Sequence, residues 1–201
     1  MKTKDKIISA AKTVFHQKGY EGARMQEIAD ACSINKALLH YHFESKEKLF
    51  QAVLLAAVME MFPAIMTLLN AQKPLLEKIE NVVDLYLDFI SRNPKMPLFV
   101  LNELNQNPDF ILNQLQAAGQ KPTIFMAQVQ EAIAKNEIKS IGPFHIIVDI
   151  IALCVFPFIA KPMLQMMSGI SDADFKVFIA ERKSHITQLL VDGLFIIPQT
   201  I

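Results

Sequence analysis

The sequence predicts an all-α fold of nine or ten helices. Three observations carry that reading. Apolar residues recur three and four apart almost throughout. No segment alternates apolar with polar residues between hairpin turns. Cap and stop residues bracket the periodic runs. With 201 residues, 52% of them hydrophobic, the chain can bury a large core.

The first helix is expected from about Thr3 to Lys18, with Ile7, Ala11, Val14 and Phe15 on one face. Gly19, free to take a positive φ, ends it. Two short helices follow, about Met25–Ala31 and Asn35–His42. The former turns Met25, Ile28 and Ala29 inward; the latter turns in Leu38 or Leu39, and Phe43 closes it. Ser45 can cap a long fourth helix striped with Leu49, Phe50, Val53, Leu54 and Ala57. Pro63 should end or kink that helix near Phe62. Helices are then expected over 74–92, over 98–105, and from Pro108 until Gly119 and Pro122 interrupt. The last three are 123–135, 143–167 and 172–194, the final one opened by the capping box Ser171-Asp172-Ala173-Asp174.

Composition excludes more than it selects. Twenty basic and twenty acidic residues cancel, although residues 1–50 carry nine Lys/Arg against six Asp/Glu. A basic excess at one end suits a polyanion or plain solvation. Cys32 and Cys154 lie far apart and outside any CxxC, which suits a reducing compartment and two buried apolar side chains. The charged start, MKTKDKIISAAKTVF, lacks the apolar core of a signal peptide. The apolar run from Ile141 to Ala160 approaches bilayer length, but it contains Gly142, Pro143, His145, Asp149 and Pro157, so a buried or dimer-forming helix is expected instead. From these signals a cytoplasmic protein with no membrane partner is expected. No nucleophile elbow, P-loop, GxGxxG or HExxH occurs, and six glycines leave little for phosphate-cradling loops. An enzyme is therefore not expected, nor a cofactor. His145 and Asp149, spaced i and i+4, are half of a metal site at best, so no metal is expected.

The informative stretch is Met25–Phe50, MQEIADACSINKALLHYHFESKEKLF. Two short helices about four residues apart cannot bury much by themselves and need the first helix beneath them. That three-helix unit is the basis of a helix-turn-helix, whose second helix enters the DNA major groove. Ile34 would be the buried turn residue and Asn35 the cap of the reading helix. Lys36, Ala37, His40 and Tyr41 would face outward. Lys36 could reach a phosphate or a guanine edge, Ala37 a thymine methyl, and the two rings phosphate or sugar. Arg24, Gln26 and Lys46 would flank the groove and grip backbone.

The run INKALLHYHFESKEKLF, with FHQKGYEGARMQEIA upstream, resembles the signature of the TetR family of bacterial transcription regulators over residues 4–54. The resemblance departs from the family pattern at Ala23-Arg24, where a Ser or Thr cap is usual, and at Ser33, where glycine is common. Asn35, Leu38 and His40 likewise replace a frequent Ser, Thr and Tyr.

The resemblance implies a DNA-binding domain over 1–48 and a ligand-binding and dimerisation domain over 49–201. It implies a homodimer on double-stranded DNA with a palindromic operator, expected to repress until a small apolar ligand releases it. The ligand pocket is expected among Met59, Phe62, Met66, Tyr86, Met96, Phe99 and Met126. Flexible thioethers suit such a pocket, though ordinary core filling explains them as well. The dimer interface is expected at Ile150, Phe158, Phe178, Ile186 and Leu189, because the last two long helices are more apolar than one small core needs. The competing reading is an interaction protein whose degenerate helix-turn-helix no longer binds DNA.

Overall fold

A computed structural model describes residues 3–106, 108, 109, 113, 116 and 121–196. Among the described residues there are ten helices: α1 (Thr3–Gly22), α2 (Met25–Ala31), α3 (Lys36–His42), α4 (Lys46–Leu69), α5 (Leu75–Arg92), α6 (Met96–Gln106), α7 (Thr123–Ala134), α8 (Pro143–Ile159), α9 (Lys161–Ser168) and α10 (Asp172–Leu194). Most of the helix expected after Pro108 lies outside the described residues. One isolated antiparallel bridge, Ile138 to Phe195, is the sole extended pairing among them. The chain forms two compact units, Met1–Glu60 and Met61–Ile201. This division falls later than the expected one after Lys48, because Leu49 and Val53 of α4 pack into the first unit's core.

That core gathers Ile7, Ala11, Val14 and Phe15 of α1, Ile28 and Ala29 of α2, and Leu39 of α3. Phe43, just past α3, joins them. Phe50 sits edge-on to Phe15, ring centroids 5.0 Å apart, and 4.9 Å from Tyr20, which pins the end of α1 to the start of α4. Gly19 breaks the α1 helix with φ 68° and ψ 175°, a region closed to residues bearing a Cβ. The turn between α2 and α3 needs a second positive φ, at Ser33 (56°), which explains why glycine is common there in the family it resembles.

The second unit buries Leu75, Ile79, Val82, Val83 and Leu87 of α5 against α7, α8 and α10. The contributions of those three helices include Phe125 and Val129, Ile146 and Cys154, and Phe175 and Leu190. Met66 and Leu69 join from the end of α4. Lys183 of α10 reaches Asp88 (2.8 Å) and Asp84 (3.8 Å) of α5 along the rim. The capping box of α10 forms as its sequence requires: Ser171 Oγ accepts the Asp174 amide, and Asp174 accepts the Ser171 amide.

Two helix boundaries differ from expectation. Pro63 lies inside α4, which continues to Leu69; burial of Met66 and Leu69 rewards the turns beyond the proline. The expected 143–167 helix is instead two, α8 and α9, bent by 67° at Ala160. Pro162, in the first turn of α9, has no amide hydrogen for the Phe158 carbonyl and its ring clashes with that carbonyl, which disfavours a straight continuation. The apolar run thus ends after 17 residues, short of the roughly 20 a span needs. Among the described residues, α4 alone is a single helix long and apolar enough to cross a membrane. Its Leu49 and Val53 are buried in the first unit, and Met66 and Leu69 in the second.

Candidate nucleic-acid interface

Local chemistry fixes α3. Asn35, in extended backbone, accepts the Leu38 amide on its side-chain oxygen at 2.7 Å and so starts the helix. The Phe43 amide donates to the Leu39 carbonyl at 2.9 Å and closes it. Leu39 is wholly buried, whereas Leu38 is 37% exposed, which resolves the choice the periodicity left open. Opposite Leu39, Lys36, Ala37, His40 and Tyr41 are all exposed, Tyr41 by 82%. Lys36 and His40, and Ala37 and Tyr41, are four apart and stand one above the other on the outer face. The Tyr41 ring leans edge-on against His42, which is half-buried.

Arg24 and Gln26 are exposed at the start of α2. The cap missing at Ala23-Arg24 is replaced from inside the helix: the Arg24 amide donates to Glu27 Oε2 at 3.3 Å. The Lys18 ammonium, 2.8 Å from Glu27 Oε1, holds that carboxyl below its usual range. Gln26 donates to Asp30 Oδ1 at 2.8 Å. Ser45 Oγ caps α4 by accepting the Lys48 amide at 3.1 Å. Lys46 is half-buried; its ammonium donates to the Glu21 carbonyl at 3.3 Å and lies 4.5 Å from the centroid of the Tyr20 ring. The sequence could not show these ties, since Glu21 and Tyr20 lie far back along the chain. Cys32 donates its thiol hydrogen to the Ile28 carbonyl at 3.1 Å, and burial raises its pKa, so the turn cysteine is a packing residue and not a thiolate.

The other expected sites are only partly gathered. Met66 is in the second unit's core, with Phe62, Tyr86 and Met126 packed against it; burial pushes the Tyr86 hydroxyl up to about 12. Met96 and Phe99 of α6 are buried, and Met59 falls in the first unit. Of the expected interface residues, Ile150 and Ile186 are buried in the protomer's own core and offer a partner nothing. They share the inward faces of Ile146 and Cys154 on α8 and of Ile179 and Leu190 on α10. Phe158 and Phe178 are half-buried, and Leu189 is 48% exposed. The exposed stripe of α8 is instead Phe144, Val148 and Ile151, which sequence reasoning missed because that helix is apolar all round. His145 and Asp149 are exposed, and no group of three metal-binding side chains occurs among the described residues.

A short helix held on a three-helix core, with a cationic and aromatic outer face, defines the helix-turn-helix class. Residues 7–53 match the family described as bacterial regulatory proteins, tetR family. Over 48 residues it is 48% identical to the negative transcriptional regulator IcaR of the biofilm operon icaADBC of Staphylococcus aureus. That match covers 24% of this chain and 26% of IcaR, so the chain aligns with about a quarter of that relative's length. The fold extends further. A transcriptional regulator from Saccharomonospora viridis, solved in complex with choline, covers 96% of this chain and 98% of its own at 19% identity, TM-score 0.66. A TetR/AcrR regulator from Thermobifida fusca covers 94% and 97% at 23% identity, TM-score 0.61.

Proposed function

We propose that the protein is a dimeric, sequence-specific DNA-binding regulator of transcription, a repressor released by a small apolar ligand. The observation that carries this is the outer face of α3, where Lys36, Ala37, His40 and Tyr41 project away from the buried Leu39. Lys36 neutralises a phosphate, the rings contact sugar and phosphate, and Arg24, Gln26 and Lys46 grip the flanking backbone. Asn35 acts indirectly, by starting the helix. Repression is favoured by the local likeness to IcaR, a negative regulator.

Dimerisation is supported by the apolar stripe Phe144, Val148 and Ile151 together with Leu189, which one protomer leaves uncovered. Two copies would set two reading helices a DNA turn or a multiple apart on a palindrome. A ligand that releases DNA must bind the DNA-incompetent state more tightly, and DNA must weaken its binding by the same factor.

Lys36→Ala is expected to weaken operator binding and flatten its salt dependence. Each lost phosphate contact lowers the log–log slope by about 0.9, hence by about 2 for a dimer. Titrations at several salt concentrations on the protein's own upstream DNA measure this. A slope equal to the parent's removes Lys36 from the interface and favours an interaction protein that no longer binds DNA. Leu189→Glu is expected to shift sedimentation from dimer to monomer; a variant that stays dimeric places the interface elsewhere.

A further inference from the structure

The short helix α9 carries methionines that core filling does not explain. Met163, Met166 and Met167 are 44%, 80% and 73% exposed. Met25, Met59, Met61, Met66, Met96 and Met126, in contrast, are all buried or half-buried. Met163 stands one turn before both Met166 and Met167, so at 3.6 residues per turn the three span about 100° of the helix. Residues three and four apart have Cβ atoms about 5–6 Å from each other. The helix beneath them is fixed. Leu164 packs on the second unit's core, and the Gly169 amide, in left-handed backbone, closes the last turn on the Gln165 carbonyl at 2.8 Å. The polar groups of α9 are engaged elsewhere. The Lys161 ammonium lies 2.5 Å from the Asp172 carboxylate, and Gln165 donates to the same group at 3.1 Å. Ser168 Oγ donates to the Leu164 carbonyl at 2.6 Å. The outer face of α9 therefore presents three thioethers and no charged group.

Where this chain exposes other apolar stripes it uses hydrocarbon: Leu98, Leu101 and Leu104 on α6, and Phe144, Val148 and Ile151 on α8. Sulfur adds a lone pair that hydrocarbon lacks. A thioether is a soft, neutral donor that selects Cu(I), whereas zinc takes thiolate or imidazole and calcium and magnesium take oxygen. We propose that Met163, Met166 and Met167 of α9 form a three-sulfur site for a soft monovalent cation, Cu(I). Three rotatable bonds per side chain let sulfurs one turn apart swing onto a single ion. Neutral ligands suit a singly charged ion, and the exposed position spares it the cost of leaving water. The site uses no residue of the helix-turn-helix and does not rest on the DNA-binding reading.

The test is anaerobic titration of the full chain with Cu(I), read by NMR from the methyl resonances of its methionines. A Cys32→Ala background removes the half-buried thiol, a competing soft ligand. Stoichiometric Cu(I) is expected to shift the Met163, Met166 and Met167 methyls together and to leave the other methionines in place, while Zn(II) shifts none. Competition with bicinchoninate gives the affinity. Met166→Leu is expected to weaken it by about tenfold or more, and the combined Met163→Leu, Met166→Leu and Met167→Leu variant to lose it. Leucine keeps the bulk and the helix preference of methionine, so an unchanged Tm without metal ties the loss to the sulfurs. The assignment is overturned if Cu(I) moves none of these methyls, if Zn(II) moves the same ones, or if the combined variant binds as the parent does.

Discussion

Leu39→Ala is expected to cost about 2–5 kcal/mol and to abolish operator binding at temperatures where the parent is bound. Leu39 is the sole buried residue within α3. The first unit has about 60 residues, and at roughly 0.05–0.15 kcal/mol per residue its whole stability is about 3–9 kcal/mol. A single cavity at that position can therefore consume most of it. The neighbouring substitution Leu38→Ala removes the same atoms from a side chain already 37% exposed and should cost less than about 1 kcal/mol. Urea denaturation gives both values. Hydrogen exchange read by mass spectrometry should show faster exchange in α1–α3 for Leu39→Ala and no change for Leu38→Ala. Equal costs for the two would mean that α3 is not held by the side chain on which its outward face depends.

What was legible in the sequence was what short-range chemistry decides. Asn35, Ser45 and Ser171 accept amides three residues ahead, so their roles could be read from a window of four residues. Gly19 announced its break because its neighbours on both sides were otherwise helical. The face of α3 was legible in part: its two adjacent leucines set Lys36, Ala37, His40 and Tyr41 outward, but periodicity left open which leucine faces in. Long-range packing decided the rest. Nothing near Pro63 shows that Met66 and Leu69 will be buried, yet that burial carries α4 past the proline. On α8 nearly every side is apolar, so no moment separated Ile150, which faces the core, from Ile151, which faces out. Nothing in the sequence singled out Lys78, which is 1% exposed.

The largest electrostatic effect in the second unit is expected where α8 and α10 meet. Pro157 lies inside α8 and has no amide hydrogen, so the carbonyl of Leu153, four residues earlier, loses its helical donor. Arg182 of α10 supplies the replacement: its Nη2 donates to the Leu153 oxygen at 3.2 Å. The guanidinium lies 6.0 Å from the centroid of the Phe178 ring, and its Nε is buried without an acceptor. The orphaned Leu153 carbonyl is thus an acceptor for this guanidinium. Cys154, the next residue along, has its thiol pushed up to about 12 by burial, so it contributes no thiolate to hold the cation. Arg182→Met is therefore expected to cost about 1.5–3 kcal/mol, the range for a hydrogen bond to a charged group. In a Pro157→Ala background the helix regains its own donor, and the same arginine substitution should cost about 1 kcal/mol less. Denaturant unfolding of the four proteins gives that coupling energy directly. Strict additivity would show that Arg182 is retained for its stem and its stacking on Phe178, and that the Leu153 carbonyl finds its partner elsewhere.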